Sequence, residues 1–460
     1  MPSSIRKALN ELPTTLDETY ERVLQETPKE KRQHAHRLFQ CLIVAIRPLR
    51  VEELAEVFAI DFDPDAGPNL KEGWRPENPE DAVLSACSTL IAVIENNGSK
   101  IVQFSHFSVK EFLTSDRLRT SEIRNIRHYH IPLDAAHSIL AQACLLVLLQ
   151  LDENVDKKRL ERFPLAFYAA QYWVDHAKYE DVASRVQDLT KELFNPRKPY
   201  LSAWTWIHDM DRPSRRRVRK TIHNLEGRPK RVEATVLYYS VLCGFSGLAE
   251  YLITTHAENV NAKCGYHGTP LHAASYGGHL DAARLLFDEH GVDINTTNKH
   301  NKTPLCSAYD GRQLDMMRLL LEHGADVDAY YDSDGLLSHD ASFCGRADAV
   351  HLLLQYKANV NARNAAEETP LHHASGQGHT RVVQLLLEHG ASVNAQSRNH
   401  NPPLYEASKY GRLEVVQILL RHGADVHIRG ERGQTPFQVA TSNGHNEVAQ
   451  LLLERGAERE

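Results

Sequence analysis

The stretch TPLHHASGQGHTRVVQLLLEHGASVNA, residues 369–395, recurs with small changes through the second half of the chain. Counterparts of its first four residues begin at positions 235, 269, 303, 336, 402 and 435, so the copies are 33 or 34 residues apart. A fixed short period is typical of a solenoid, in which each unit buries its apolar face only against its neighbours. We therefore expect about seven units, over residues 230–263, 264–297, 298–330, 331–363, 364–396, 397–429 and 430–460.

Each unit has the sequence of two short helices. Thr369 followed by Pro370 favours a helix start, because proline at the first helical position loses no hydrogen bond there. A stretch of small residues ends in a glycine turn, and leucines at helical spacing follow until Gly390, a residue type that commonly ends a helix. Polar segments such as 399–401 then join one unit to the next.

The period, the T-P-L-H start, the G-H turn, the L-L-L run and the G-A-x-V-N-A ending together resemble the ankyrin repeat. The resemblance covers residues 230–460 and implies a curved stack whose concave face, built from the turn tips and the first helices, binds proteins without catalysis. The unit 331–363 departs from the pattern, since it starts with Leu336-Leu337-Ser338-His339 and has Tyr356-Lys357-Ala358 where glycine would end the second helix. We expect a weaker or bent joint there.

The polar residues at the tips are the candidate partner-binding residues. Their charge changes along the stack, from acidic in the middle to basic towards the C-terminus, so we expect a protein partner with a complementary charge pattern and a salt-sensitive association. The candidates are Lys299, His300, Asn301, Asp332, Asp334, Glu367, Glu368, Arg398, Asn399, His400, Arg429, Glu431 and Arg432.

Residues 1–120 predict a small winged-helix-like module. Thr15 and Glu18 form a capping pattern before a helix, and we expect further helices over 36–46, 51–60, 81–94 and 109–113. Residues 61–79 read as a long loop, and residues 91–94 as either the end of a helix or a strand. Asn97-Gly98 then predicts a hairpin turn into a strand at 101–104.

Four segments of this module, LPTTLDETYERVL, RPLRVEELAEVFAIDFD, VLSACSTLIAVI and VQFSHFSVKEFLTSDRL, resemble the region that follows the nucleotide-binding module of fungal NACHT–ankyrin proteins, which are signal-transducing NTPases. The chain has no G-x-x-x-x-G-K-[ST] loop to hold phosphates. It is therefore either a fragment of a longer protein or a family member that has lost its switch. The resemblance implies an alternative function as a regulatory or sensor part of a NACHT-type NTPase in innate-immunity or incompatibility-like signalling.

Residues 121–229 predict a helical connector that includes helices at 135–149 and 164–176. A basic linker at 212–231 has nine Lys or Arg residues against one Glu, which leaves open a nuclear regulator beside the expected cytoplasmic location. We expect no nucleic-acid binding, because the candidate recognition helix, residues 51–60, has three glutamates and no Lys or Arg, and these charges would repel phosphate.

Composition excludes other classes of protein. The 460 residues have a net charge of −7 and no apolar run long enough for a membrane span. The seven cysteines are scattered, which favours buried free thiols in a reducing compartment. An acidic loop at 61–72 has calcium-ligand spacing, but Ala66 replaces the glycine required at the sixth position, so we expect a plain surface loop.

The 26 histidines could suggest a metal or catalytic site, yet eleven of them occupy repeated slots. We read those eleven as scaffold residues whose protonation in acid destabilises the fold if they are buried in the neutral form. The sequence therefore predicts a mainly α protein, namely a winged-helix-like module, a helical connector and an ankyrin solenoid of about seven repeats. We expect no enzyme activity, no cofactor, no metal and no small-molecule substrate.

Overall fold

The computed structural model describes residues 15–63, 67–96, 98–211, 225, 229, 234–332 and 335–458. Internal contacts divide the chain into two units, residues 1–236 and 237–460. The described residues are mainly helical, which confirms the fold class. The three-part division, with boundaries after residues 120 and 229, stays a prediction.

The first unit begins with a winged helix. Its short three-stranded antiparallel sheet has strand Ser99–Phe104 between strands Leu49–Arg50 and Ile91–Asn96, and Val102 of the central strand pairs with both Leu49 and Val93. Buried apolar residues of the surrounding helices, such as Leu38 and Leu54, form its core. The elements are α1 (Leu16–Glu26), α2 (Arg32–Val44), β1 (Leu49–Arg50), α3 (Val51–Val57), β2 (Ile60–Asp63), β3 (Gly67–Leu70), α4 (Pro79–Cys87), β4 (Ile91–Asn96), β5 (Ser99–Phe104) and α5 (Ser108–Leu113).

Two local expectations in this module are wrong. The segment expected to be a loop over 61–79 contains the β2–β3 hairpin, because Gly67 has a φ of 77° and the two strands pair from Ile60 to Leu70. Asp61, the first acidic residue of the calcium-like pattern, forms an ion pair with Lys71; Asp65 and Ala66 lie outside the described residues. The helix expected over 81–94 ends at Cys87, and of the two interpretations of residues 91–94 the strand is confirmed, since Ile91–Asn96 is a strand.

Helices continue through the rest of the first unit. They are α6 (Asp116–Arg119), α7 (Arg124–Arg127), α8 (Leu133–Leu148), α9 (Lys157–Leu160), α10 (Ala166–Ala177), α11 (Val182–Arg185), α12 (Gln187–Leu193) and α13 (Tyr200–Ile207). The α8 helix is its core, packed against both α2 and α10. Trp173, Phe194 and Trp204 form a buried aromatic cluster with ring centroids 5.5–6.2 Å apart. The basic linker falls almost wholly outside the described residues.

The second unit is seven helix pairs, numbered here as repeats one to seven. The pairs are Val236–Leu242 with Ser246–His256, Pro270–Gly277 with Leu280–Arg284 (continued by Leu285–Glu289), Pro304–Asp310 with Leu314–Glu322, Leu337–Phe343 with Ala347–Gln355, Pro370–Gln377 with Thr380–Glu388, Pro403–Lys409 with Leu413–Arg421, and Pro436–Ser442 with Asn446–Glu454. Five of the first helices have proline in their first turn.

One continuous apolar core runs through all seven repeats. It contains the leucines and valines of each second helix and the small residues of each first helix, for example Val383 and Leu386 beside Ala374. Between repeats two and three, and from repeat four to repeat seven, neighbouring first helices pack against each other more extensively than neighbouring second helices. The apolar face of one repeat is therefore buried by the next, as the period predicts.

The histidines in two of the three repeated slots link neighbouring repeats, whereas those at the ends of the second helices, such as His389, bond to a carbonyl of their own helix. In the T-P-L-H slot, Nδ1 of His372 accepts the amide hydrogen of Thr369 (3.0 Å), and Nε2 donates to the carbonyl of Asn401 in the next repeat (2.9 Å). In the slot after the glycine turn, Nε2 of His279 donates to the carbonyl of Leu242 in the preceding repeat (3.0 Å). Equivalent bonds recur at other repeats, so these imidazoles are structural.

The fourth repeat keeps its two helices but differs at its joint. Asn361 links repeats four and five, since its side chain donates to Gly390 and accepts from Ser392. The equivalent residue before the fourth repeat is Asp328, whose carboxylate accepts from Asn359 and has no hydrogen to donate. Lys357 ends the second helix with a φ of 65°. These differences give the expected weak joint a physical basis, although its stability stays a prediction.

Replacing Lys357 with glycine should stabilise the fourth repeat by about 1 kcal/mol, because a side chain in the left-handed region costs about that much. The equivalent residues Gly324, Gly390 and Gly423 have φ between 82° and 87°. Slower hydrogen exchange of the amides in 347–358 would show the gain. Gln355→Gly, at an exposed helical position two residues earlier, is the control and should destabilise instead. Equal effects of the two substitutions would contradict the strain argument.

Among the described residues, no helix is both long enough and apolar enough to cross a bilayer.

Candidate protein-interaction surface

The tips, meaning the loops that precede the first helix of each repeat, are built by side-chain hydrogen bonds. In the third repeat, Oδ1 of Asn298 accepts the amide hydrogens of His300 (2.8 Å) and Lys302 (3.1 Å), while Nδ2 donates to the carbonyl of His267 in the preceding tip (2.7 Å). Asn364 accepts from the amides of its own tip in the same way. Short loops held like this present their side chains from a fixed backbone.

Four candidate residues hold a strained backbone conformation. The φ angles of Asn301, Glu367, His400 and Arg432 are 57°, 58°, 62° and 58°, in the left-handed region that favours glycine. The cost is on the order of 1 kcal/mol for each of Glu367, His400 and Arg432, and it is smaller for Asn301, because asparagine adopts this conformation more readily. Backbone strain lowers the stability of the fold, and strained residues cluster at functional sites.

The candidate residues differ in exposure and in their partners. Lys299, His300, Asn301, Asp332, Glu367, Arg398, Asn399, His400, Arg429 and Arg432 are exposed, Glu368 and Glu431 are half-buried, and Asp334 lies outside the described residues. Glu367 contacts Arg363 at 3.6 Å, and Glu368 contacts His373 at 3.4 Å. In the fifth tip, Glu367 therefore has an arginine beside it and Glu368 has an imidazole beside it.

The structure brings six of the candidates together in one cleft. A cleft of about 460 Å³ between the sixth and seventh tips is lined by Arg398, Asn399, His400, Arg429, Glu431 and Arg432, with Gly430 and Gly433. The candidates of the third, fourth and fifth tips do not line it. Three arginines against one glutamate make this cleft the basic end of the charge pattern.

Exposed aromatic residues on the tips and first helices were missed by the sequence reasoning, which considered only charged and polar tips. Tyr266 and Tyr330, in the second and fourth tips, are 46% and 56% exposed. Phe343 and Tyr410, at the ends of first helices, are 48% and 49% exposed. Exposed aromatic side chains are typical anchors of protein interfaces. Their positions seven and eight residues after the start of the T-P-L-H slot, at the end of the first helix, could have identified the second pair.

Other polar residues of the first helices are already paired within the unit. Lys302 lies 2.9 Å from Asp310, which also accepts the hydroxyl hydrogen of Tyr331 (2.6 Å). Asp340 accepts the hydroxyl hydrogen of Tyr309 (2.6 Å). These contacts fix the first helices and use polar groups that would otherwise be available to a partner.

Two of the three glutamates of helix α3 are buried, although the expectation of no nucleic-acid binding requires their charges to be on the surface. Glu53 is fully buried, with Oε1 and Oε2 each 2.7 Å from a guanidinium nitrogen of Arg47. Glu56 is 2% exposed and accepts from Arg75 (2.8 Å) and from the amide of Leu165 (2.7 Å). Glu53 and Glu56 therefore form buried hydrogen bonds and ion pairs inside the first unit. Their charges do not lie on the surface of the helix, so repulsion of phosphate by these two residues does not argue against nucleic-acid binding.

The expectation of buried thiols is wrong for two of the seven free cysteines. Cys344 is exposed and Cys264 is half-buried. Cys344 follows Phe343 at the end of a first helix, where Gln377 and Tyr410 are exposed in other repeats. Among the described residues, no group of three or more His, Cys, Asp or Glu side chains could hold a metal ion.

Comparisons with known proteins agree with this architecture. Residues 218–298, 237–331, 288–364 and 337–430 match the ankyrin repeat family in its multiple-copy form, and residues 432–459 match a further ankyrin repeat. Residues 20–123 match the family described as GPI inositol-deacylase, winged helix domain. The crystal structure of the human ASB11 ankyrin repeat domain is 27% identical, with a TM-score of 0.43, and covers 49% of this chain and 100% of that one.

A curated relative is the azaphilone pigments biosynthesis cluster protein L of Monascus ruber. It is 31% identical over 285 residues, which is 59% of this chain. The chain spans 58% of the length of that relative. Residues 218–430 and 432–459 are therefore ankyrin repeats, and they follow a winged helix domain of the GPI inositol-deacylase type.

Proposed function

We propose that the chain is a non-catalytic adaptor that binds a protein partner through the tips and first helices of its ankyrin repeats, and that it acts in the cytoplasm. The observation that carries the proposal is that exposed polar side chains recur at one position of the tips, on turns that backbone hydrogen bonds hold fixed, such as those from the amide of Asn301 to the carbonyl of Asn298 (3.0 Å) and from the amide of Glu367 to the carbonyl of Asn364 (2.9 Å). Ankyrin repeats generally mediate protein interactions, and exposed aromatic residues on the same surface support this use.

Site-specific photocrosslinking in the full chain tests the proposal. A benzophenone amino acid would replace Lys299, Asn399 or Tyr330 on the tips, or Arg318 or Arg381 on the exposed side of second helices. We expect the three tip positions to crosslink to the same protein in extracts of the source organism, and the second-helix positions not to. Crosslinking with equal yield from both sets, or from the second helices alone, would contradict the proposal.

Replacing the strained tip residues with glycine should separate stability from binding. In the double variant Glu367→Gly and His400→Gly, relief of the left-handed strain should raise the free energy of unfolding by about 1 kcal/mol for each position. The loss of both side chains should weaken capture of the crosslinked partner. Urea unfolding followed by circular dichroism and the crosslinking yield measure the two effects. A variant that is more stable and captures the partner as well as the parent would argue against binding at these tips.

A second candidate is a regulatory role beside a NACHT-type NTPase, and the winged helix match over residues 20–123 favours it. Phe107, which is 73% exposed in that domain, is the position to probe. If a photocrosslinker at Phe107 captures an NTPase while the tip positions capture nothing, the regulatory role replaces the adaptor role.

A further inference from the structure

The cleft between the sixth and seventh tips rests on a rigid base. Asn401, which is 4% exposed, accepts the amide hydrogen of Glu431 at Oδ1 (2.6 Å) and donates from Nδ2 to Glu406 (2.7 Å). Its carbonyl accepts from Nε2 of His372 (2.9 Å) and from the amide of Ser397 (3.1 Å). One buried side chain thus ties the seventh tip to the sixth repeat.

Gly430 allows the two tips to approach this closely. A Cβ atom at position 430 would lie 2.5 Å from Oδ1 of Asn401 and 2.8 Å from the ring of Tyr405. Any side chain there would push the seventh tip away from the sixth. The cleft is therefore present before a ligand binds, which reduces the entropic cost of binding.

The arginines of the cleft have unused hydrogen-bond donors. Among the described residues, the side chains of Arg398 and Arg432 have neither a hydrogen bond nor an ion pair. Nη1 of Arg429 donates one hydrogen bond to the carbonyl of Gly433 (3.0 Å). Guanidinium groups bind carboxylates through two parallel hydrogen bonds. The cleft contains three guanidinium groups and one carboxylate, that of Glu431, so it has an excess of positive charge.

The charges of the fifth tip limit which kind of negatively charged ligand the cleft can bind. The fifth tip adjoins the sixth, because the amide of Arg398 donates to the carbonyl of Ala366 (2.8 Å). That tip carries Glu367 and Glu368. A nucleic acid, whose negative charge continues along its backbone, would meet these carboxylates. A short acidic segment flanked by neutral or basic residues would not.

We propose that this cleft binds an acidic segment of a protein partner, in which neighbouring Asp or Glu side chains pair with Arg398, Arg429 and Arg432. The proposal rests on the proposed adaptor function and names the chemistry that the sixth and seventh repeats recognise. The flanking Glu367 and Glu368 favour a basic residue on one side of the acidic segment.

Fluorescence anisotropy with the full chain tests this inference. The probes are a labelled ten-residue peptide with four consecutive glutamates, the same peptide with glutamines in their place, and a ten-nucleotide single-stranded DNA. We expect the glutamate peptide alone to bind, with an affinity that falls as salt rises. The double variant Arg398→Glu and Arg432→Glu should weaken binding at least about tenfold, since two attractive pairs become repulsive.

The matched control is Arg318→Glu with Arg381→Glu, which makes the same change in net charge on exposed second-helix positions. It should leave peptide affinity unchanged. Absence of peptide binding, equal losses in both double variants, or tighter binding of the DNA than of the peptide would each overturn the inference. A failed peptide assay together with specific crosslinking from Lys299 and Tyr330 would reject the acidic segment and leave the adaptor function standing.

Discussion

Lowering the pH from 7 to 4 should cost the ankyrin unit about 3 kcal/mol for each of three buried histidines. Burial lowers the pKa of His267, His272 and His372 to about 4. The unfolded chain, with pKa values near 6.5, therefore binds protons that the folded chain does not. The contribution of these neutral histidines to the free energy of unfolding is fully present above about pH 6.5 and falls as the pH approaches 4. At His372 the reason is geometric as well, since Nδ1 must stay unprotonated to accept from Thr369.

Hydrogen exchange of peptides that span 266–276 and 366–376, corrected for intrinsic rates at each pH, measures this loss. The control is the double variant His272→Gln and His372→Gln. Glutamine already occupies the equivalent slot in the last repeat, where Oε1 of Gln438 accepts the amide hydrogen of Thr435 (2.9 Å). The variant should be less stable at pH 7 but should lose much less stability in acid. A pH dependence as steep as that of the parent would show that other groups control acid unfolding.

Replacing Glu53 with alanine should destabilise the first unit by about 4 kcal/mol, because it leaves the charge of Arg47 partly buried without its partner. Burial alone would raise the pKa of Glu53, but the hydrogen bonds and charge of Arg47 outweigh it and hold the pKa below its usual value. The carboxylate also accepts the amide hydrogen of Arg50 (2.8 Å) at the start of the helix.

Tryptophan fluorescence during urea unfolding isolates this effect, since all four tryptophans lie between residues 74 and 206. Glu52→Ala is the matched control on the same helix, where the side chain is exposed, and should change the free energy of unfolding by less than about 0.5 kcal/mol. If the two substitutions cost the same, the buried ion pair does not stabilise the winged helix domain as described.

The repeat pattern predicted the second unit well because its information is local and redundant. A proline after threonine, a glycine turn and leucines at helical spacing each indicate the same structure, and at least two of these signals recur in every period. The first unit has no such redundancy. The hairpin from Ile60 to Leu70 was read as a loop because its glycine and prolines favour irregular structure, and the pairing of its strands is decided by tertiary contacts that no local pattern reports.

The candidate surface was predicted in part for the same reason. Register along the repeat predicts that Arg398 and Arg432 belong to tips, but not that the two tips share a cleft. That depends on Asn401, whose partners Glu431 and His372 are 30 and 29 residues away in the chain. Residues this far apart in the chain come within hydrogen-bond distance only because neighbouring repeats stack, and the sequence of one repeat does not show which side chains then meet.

The dissociation constant of the partner captured from the tips, measured with the purified proteins, tests the central claim most directly. The parent chain is compared with a variant in which Lys299, Asn399 and Arg432 are replaced by serine, and with a control in which Arg318 and Arg381 are replaced by serine. We expect the tip variant to bind at least about tenfold more weakly and the control to bind like the parent. Unchanged affinity in the tip variant, with folding intact by circular dichroism, would contradict recognition through the ankyrin tips.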